Sequence, residues 1–212
     1  MSTRARTPLV APPTAMDVAL VAAFAALIAA TAVLPDIKTG LGVPFSLQTF
    51  GVLLAGAVLG PVRGFLAVTL YLAGGAAGLP IFSGGSAGIG HFTGATAGYL
   101  VAFPLAAALV GLIVRLNRRR ATDFTLVFTA GLLSSFAFVH TLGPLNLAWR
   151  ADMDLLDAFL FDARFFPGDI VKNILMALVA TSVHRAFPDL LARPRRTADD
   201  RADSPDPAAT SA

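Results

Sequence analysis

Asp169 and Lys172 stand three residues apart in the stretch PGDIVKN, directly ahead of ILMALVATSV, which carries no charge. On a helix that spacing puts both side chains on one face. An ionised carboxylate only accepts hydrogen bonds and an ammonium only donates them, so the pair suits a neutral molecule with adjacent N–H donors and a carbonyl. The structural alternative is that Asp169 meets the positive end of its helix dipole, a gain of at most about 1–2 kcal/mol, while Lys172 pairs with it or snorkels outward. That explains Asp169 alone. A lysine carried toward a bilayer centre costs at least about 2.5–3.5 kcal/mol, and a buried ion pair is weak evidence for stability. A ligand site is the better account of Lys172.

The elements that must position this pair lie in a membrane. Of the 212 residues 56% are hydrophobic and 14% charged, against roughly 25% charged in an average soluble domain. A helix crosses a bilayer with about 20 apolar residues, and six stretches approach this: 18–34, 47–59 (short), 64–79, 95–114, 124–149 and 170–186. The second and third flank LGPVRG, whose Gly60, Pro61 and Gly64 predict a tight turn and hence a helical hairpin. The expected class is an all-α, polytopic membrane protein with six transmembrane helices. Twelve Lys and Arg fall at the termini and after the second and fourth stretches, against Lys38, Arg150 and Arg164 opposite, so both termini are expected to be cytoplasmic. The sequence pI near 9.9 therefore reflects topology, and no nucleic acid is expected as a partner.

This divides the chain into a cytoplasmic N-terminal segment (1–16), a six-helix domain (17–187) and a charged, Pro-rich cytoplasmic tail (188–212) expected to be disordered. The first helix is too long for a signal-peptide core and lacks a persuasive cleavage site, so it is expected to be retained. With no cysteine and three scattered histidines, neither a disulfide nor a metal cluster is expected. The glycine-rich stretch GGAAGLPIFSGGSAGIGHFTGATAG lies outside on this topology. Such backbone is tolerated at membrane depth only when buried in protein or lining a cavity, which points to an outward-facing cavity. DMDLLDAFLFDARFF, acidic on one side and aromatic on the other, reads as an interfacial helix or lid. His140 and Asn146 are expected to be packing residues with helix-backbone partners.

Three segments in order, VPFSLQTFGVLLAGAVLGPVRGFLAVTLYLAGGAAGLPIFSGG (43–85), GYLVAFP (98–104) and PGDIVK (167–172), resemble BioY, the biotin-binding S component of energy-coupling-factor vitamin transporters. The similarity spans nearly all of 17–187. The resemblance implies capture of biotin from outside, in the bacterial cytoplasmic (inner) membrane, with Asp169 and Lys172 on the ureido ring. Its N–H groups would donate to the carboxylate, and its oxygen would accept from the ammonium. Gln48, Ser83 and Ser86 look like further pocket walls. Phe45, Phe82, Phe165 and Phe166 are candidates for the apolar bicycle, and His91 and nearby glycine amides for the biotin carboxylate. The chain departs from the family pattern at TGATAGY (93–99), where a GPTGGY-like run is usual, so the local backbone there is expected to differ.

Small residues at Ala22, Ala26 and Ala30, and again at Ala25 and Ala29, let another helix approach closely. In the resembled family such a face docks on the transmembrane T component; packing within the same bundle is the alternative. No GxxxxGK[ST] phosphate loop occurs, so the chain has no ATP site of its own. The partners implied are biotin, membrane lipid, a T component and two cytoplasmic ATPases, with a homo-oligomer left open, as is transport without the ATPases. No cofactor is expected: biotin is cargo, and ATP acts through partner subunits. Two rival readings use the same residues. A channel or facilitator for small neutral solutes would need no Asp169. An intramembrane serine hydrolase would use Ser86 in GGSAG with His140 as base, but that motif requires a strand-turn-helix elbow, which is not predicted here.

Overall fold

The computed structural model describes residues 14–34, 37–38, 44–188 and 191, with 37–38 and 44–45 described by backbone alone. Among the described residues eight α-helices dominate, accompanied by two two-residue antiparallel strands, β1 (Ile37–Lys38) and β2 (Pro44–Phe45), with Ile37 opposite Phe45. Four helical stretches are long and apolar enough to cross a membrane: Ala15–Val33, Ala97–Leu116, Phe124–Ala151 and Leu155–Ala186.

Helix α1 (Ala15–Val33) opens with a capping box. The Thr14 hydroxyl accepts from the Asp17 N–H at 3.2 Å, and Asp17 accepts from the Thr14 N–H at 2.9 Å. Asp17 also pairs with Arg63 at 2.6 Å, fastening the start of α1 to the start of α3 (Pro61–Ala76). The expected hairpin is present: α2 (Gln48–Leu59) turns into α3 at Gly60, whose φ of +83° suits glycine, and Pro61 fills a first-turn position where its missing N–H costs nothing.

Helix α2 is the centre of the molecule. All its residues but Phe50 are buried, and it packs against α1, α3, α4 (Ala97–Leu116) and α8 (Phe166–Ala186). At 12 residues it spans about 18 Å, well short of the ~30 Å hydrocarbon core. Surrounded by other helices, it has little lipid to match. Close approach is possible because the chain places glycine at the contact: a Cβ on Gly56 would lie 2.1 Å from the Ala107 carbonyl oxygen on α4. Helices in lipid gain mainly from such tight packing.

The stretch expected as one helix over 124–149 is α5 (Phe124–Ser134), a π-helical turn (Ser135–Val139) and α6 (His140–Ala151) in continuous succession. Asp123 caps α5 by accepting from the Thr125 N–H at 2.9 Å. Helix α7 (Leu155–Asp162) leads through a short 3₁₀ turn into α8, which starts at Phe166 rather than Ile170 because Pro167 is accommodated in its first turn. On α7 Asp157 is exposed. Leu155, Leu156 and Leu160 are exposed, while Ala158, Phe161 and Asp162 are buried. Of the tail expected to be disordered, residues 188 and 191 are described, and Leu191 is buried near Gly60. The remainder lies outside the described residues, as does 1–13.

Candidate functional site

Helix α8 carries Asp169 in its first turn and Lys172 in the next, and the spacing does what the sequence implied: the Lys172 Nζ donates to Asp169 Oδ1 at 2.9 Å. Both residues are about 95% buried, at 6% and 5% exposure. Asp169 also meets the N-terminal turn of α2, where the Thr49 hydroxyl donates to the same Oδ1 at 3.4 Å. Two helix N-termini, that of α8 and that of α2, thus lie beside one carboxylate, an arrangement that favours its negative charge. The second carboxylate oxygen, Oδ2, lies 3.4 Å from Nε2 of His140.

His140 corrects the sequence reading. It was expected to pack with a helix-backbone partner, yet its ring lies between two carboxylates. Its Nδ1 donates at 2.8 Å to Oδ2 of Asp162, whose other oxygen accepts from the Tyr99 hydroxyl at 2.8 Å. Asp162 has no exposed surface at all. An unpaired buried carboxylate would cost several kcal/mol on the order of the desolvation penalty; two donors offset that cost here. The chain Tyr99, Asp162, His140, Asp169, Lys172 thus draws on α4, α6, α7 and α8. Thr49, Tyr99 and Asp162 carried no local sequence signal, because their partners are distant in the chain. Asn146 does find backbone acceptors, but they are the Gly94 and Ala95 carbonyls before α4 rather than its own helix.

Next to this polar chain lies an aromatic wall. Gln48, immediately before Thr49, is buried and donates from Nε2 to the Tyr71 hydroxyl. Phe82 packs edge-on against Tyr71, with ring centroids 5.6 Å apart, and His91 packs on Phe82 at 5.1 Å. Consecutive residues of α2 therefore join the two halves of the site. Phe166 lies edge-on to the His140 ring at 4.7 Å, and buried Phe165 packs on Phe161. The side chain of Phe45 lies outside the described residues.

Ser83 and Ser86 serve a turn: the Ser86 hydroxyl donates to the Ser83 carbonyl at 2.8 Å. With Ser86 so engaged and His140 between two carboxylates, the nucleophile and base of a hydrolase are not brought together. On α1, Ala22, Ala26 and Ala30 are exposed while Ala25 is buried, so the two alanine rows face different surroundings. Among the described residues no cluster of potential metal ligands occurs.

The arrangement presents a buried acceptor and donor one turn apart. A protein named biotin transporter BioY from Rhodobacter capsulatus is 41% identical over 191 residues, covering 84% of this chain and 98% of the relative. One of the same name from Rhizobium etli is 35% identical over 182 residues, covering 84% and 97%. The crystal structure of the S-component for biotin from an ECF-type ABC transporter superposes with a TM-score of 0.77 at 28% identity, covering 82% of this chain and 95% of that one. The BioY family profile matches residues 2–189. With relatives matched over almost their whole length and the fold shared, the chain belongs to the BioY family.

Proposed function

We propose that this chain captures biotin at the outer face of the bacterial cytoplasmic membrane and acts in its uptake as the substrate-specific subunit of an ECF-type transporter. The observation that carries the reading is the buried Asp169–Lys172 pair at 2.9 Å in a member of this family. A carboxylate has about four acceptor sites and an ammonium three donors. The pair can therefore keep its mutual bond while Asp169 accepts a ureido N–H and Lys172 donates to the ureido oxygen. Phe82 and Tyr71 would then contact the apolar bicycle. Because the ligand is neutral at this end, binding adds no charge to a site that already holds two carboxylates.

In this reading six segments span the membrane, α2 and α3 among them, with both termini cytoplasmic. The arginines at 115 and 118–120 support that orientation, and exposed Trp149, with the Arg150 guanidinium 4.3 Å from its ring centre, is an anchor suited to an interface. The exposed row Ala22, Ala26 and Ala30 is the proposed contact with a transmembrane partner. ATP would act through partner ATPases, since the sequence has no phosphate loop.

Calorimetry with detergent-purified protein tests the reading, using biotin, desthiobiotin and a carboxylate-blocked analogue against wild type and Asp169→Asn. Tight binding by wild type that is lost in the variant is expected. A well-folded wild type that binds no biotin overturns it.

A further inference from the structure

The two oxygens of Asp169 are not equivalent. Oδ1 receives both Lys172 and Thr49, whereas among the described residues Oδ2 is met by His140, whose Nε2 approaches to 3.4 Å. Oδ2 is therefore the oxygen with acceptor capacity left for an incoming N–H, and His140 is the residue lying against it. His140 is itself tightly placed. Its Nδ1 is bonded to Asp162 at 2.8 Å, Asp162 is bonded to Tyr99 at 2.8 Å, and Phe136 and Phe166 flank the ring at 4.9 and 4.7 Å. The Tyr99 ring is seated where α6 has Gly143, since a Cβ there would come within 2.1 Å of it. The π-helical turn ends at Val139, directly before His140, and such turns are frequent at functional sites.

We propose that His140, oriented by Asp162 and Tyr99, is a positioning residue that sets the ligand-receiving oxygen of Asp169, so that selectivity for a ring N–H donor depends on residues beyond the Asp169–Lys172 pair. The inference rests on the biotin reading and deepens it. It assigns Asp162, on the short helix α7, a role in ligand discrimination without ligand contact.

The test exploits two amide replacements of nearly equal size. His140→Gln places an amide at the Nε2 position, toward Asp169; His140→Asn places one only at the Nδ1 position, toward Asp162. Biotin and a biotin methylated on a ureido nitrogen are titrated into wild type, both variants and Asp162→Asn, with gel filtration and thermal unfolding to verify folding. The expected result is biotin binding at least about tenfold weaker in His140→Asn, partial recovery in His140→Gln, and reduced discrimination against the methylated analogue in His140→Asn and Asp162→Asn. If His140→Asn fails to fold, His140→Gln and Asp162→Asn carry the same discrimination test. Unchanged discrimination in every folded variant, or equal weakening in His140→Gln and His140→Asn, overturns the inference alone. No biotin binding by wild type overturns it together with the functional reading.

Discussion

Helix α8 has polar residues buried at both ends, and the two ends satisfy them differently. At the C-terminal end His184 donates from Nε2 to the Ala57 carbonyl at 3.0 Å, and the Thr181 hydroxyl donates to the Ala177 carbonyl of its own helix at 2.7 Å. The Ala57 carbonyl needs that partner because the residue four positions on is Pro61, which has no N–H to give. His184 thus repairs the backbone at the α2–α3 turn. At the N-terminal end Asp169 and Lys172 meet each other, and Asp169 meets Thr49 and His140, through side chains. A side chain that ends on a backbone carbonyl closes an account within the fold; a carboxylate with two oxygens beside an ammonium has the chemistry to take a ligand. Burial alone does not separate them, since His184 and His140 are both buried.

That contrast can be broken most forcefully at Lys172. Lys172→Met keeps the stem but removes the charge, and losing one partner of a buried hydrogen-bonded charge pair costs about 2–5 kcal/mol. The expected effect is on biotin affinity measured by calorimetry; a variant that binds as wild type would move the ligand site away from α8. His184→Ala should do the reverse. Leaving the Ala57 carbonyl unpaired costs about 1–3 kcal/mol, seen as a lower unfolding midpoint in detergent with biotin affinity retained. A binding loss matching that of Lys172→Met would erase the distinction between the two ends. Thr181→Val removes a bond made only within α8 and is expected to shift stability by less than about 1 kcal/mol. Smallest of all, Ser86→Ala loses a turn hydrogen bond on a part-buried loop, with a stability change within about 0.5 kcal/mol and unchanged biotin binding. A clear affinity loss there would restore Ser86 to the pocket.

Much of the site was legible at α8, because i, i+3 contacts follow from helical periodicity alone. The hairpin at Gly60 was legible too, since positive φ and a proline at the helix start are properties of single residues. His140 was misread for a physical reason: a lone histidine in an apolar run gives no sign of what lies opposite. Its partners Asp162 and Asp169 are 22 and 29 positions away on other helices. Within 152–166, Asp152, Asp154 and Asp157 are exposed while Asp162 turns inward to His140 and Tyr99, partners equally invisible in the local sequence.

The sequence by itself determined that this chain belongs in a membrane, where its apolar stretches begin and end to within a few residues, and that an acid and a base share one face of the last helix. These follow from composition and from short-range geometry, which any helix imposes. Only the tertiary structure decided that Lys172 and Thr49 meet one oxygen of Asp169 and His140 the other, that α2 is packed against four other helices, and that of two buried histidines one mends backbone while the other faces carboxylates. Those outcomes depend on contacts between residues far apart in the chain, which the packing of the helices brings within hydrogen-bond reach.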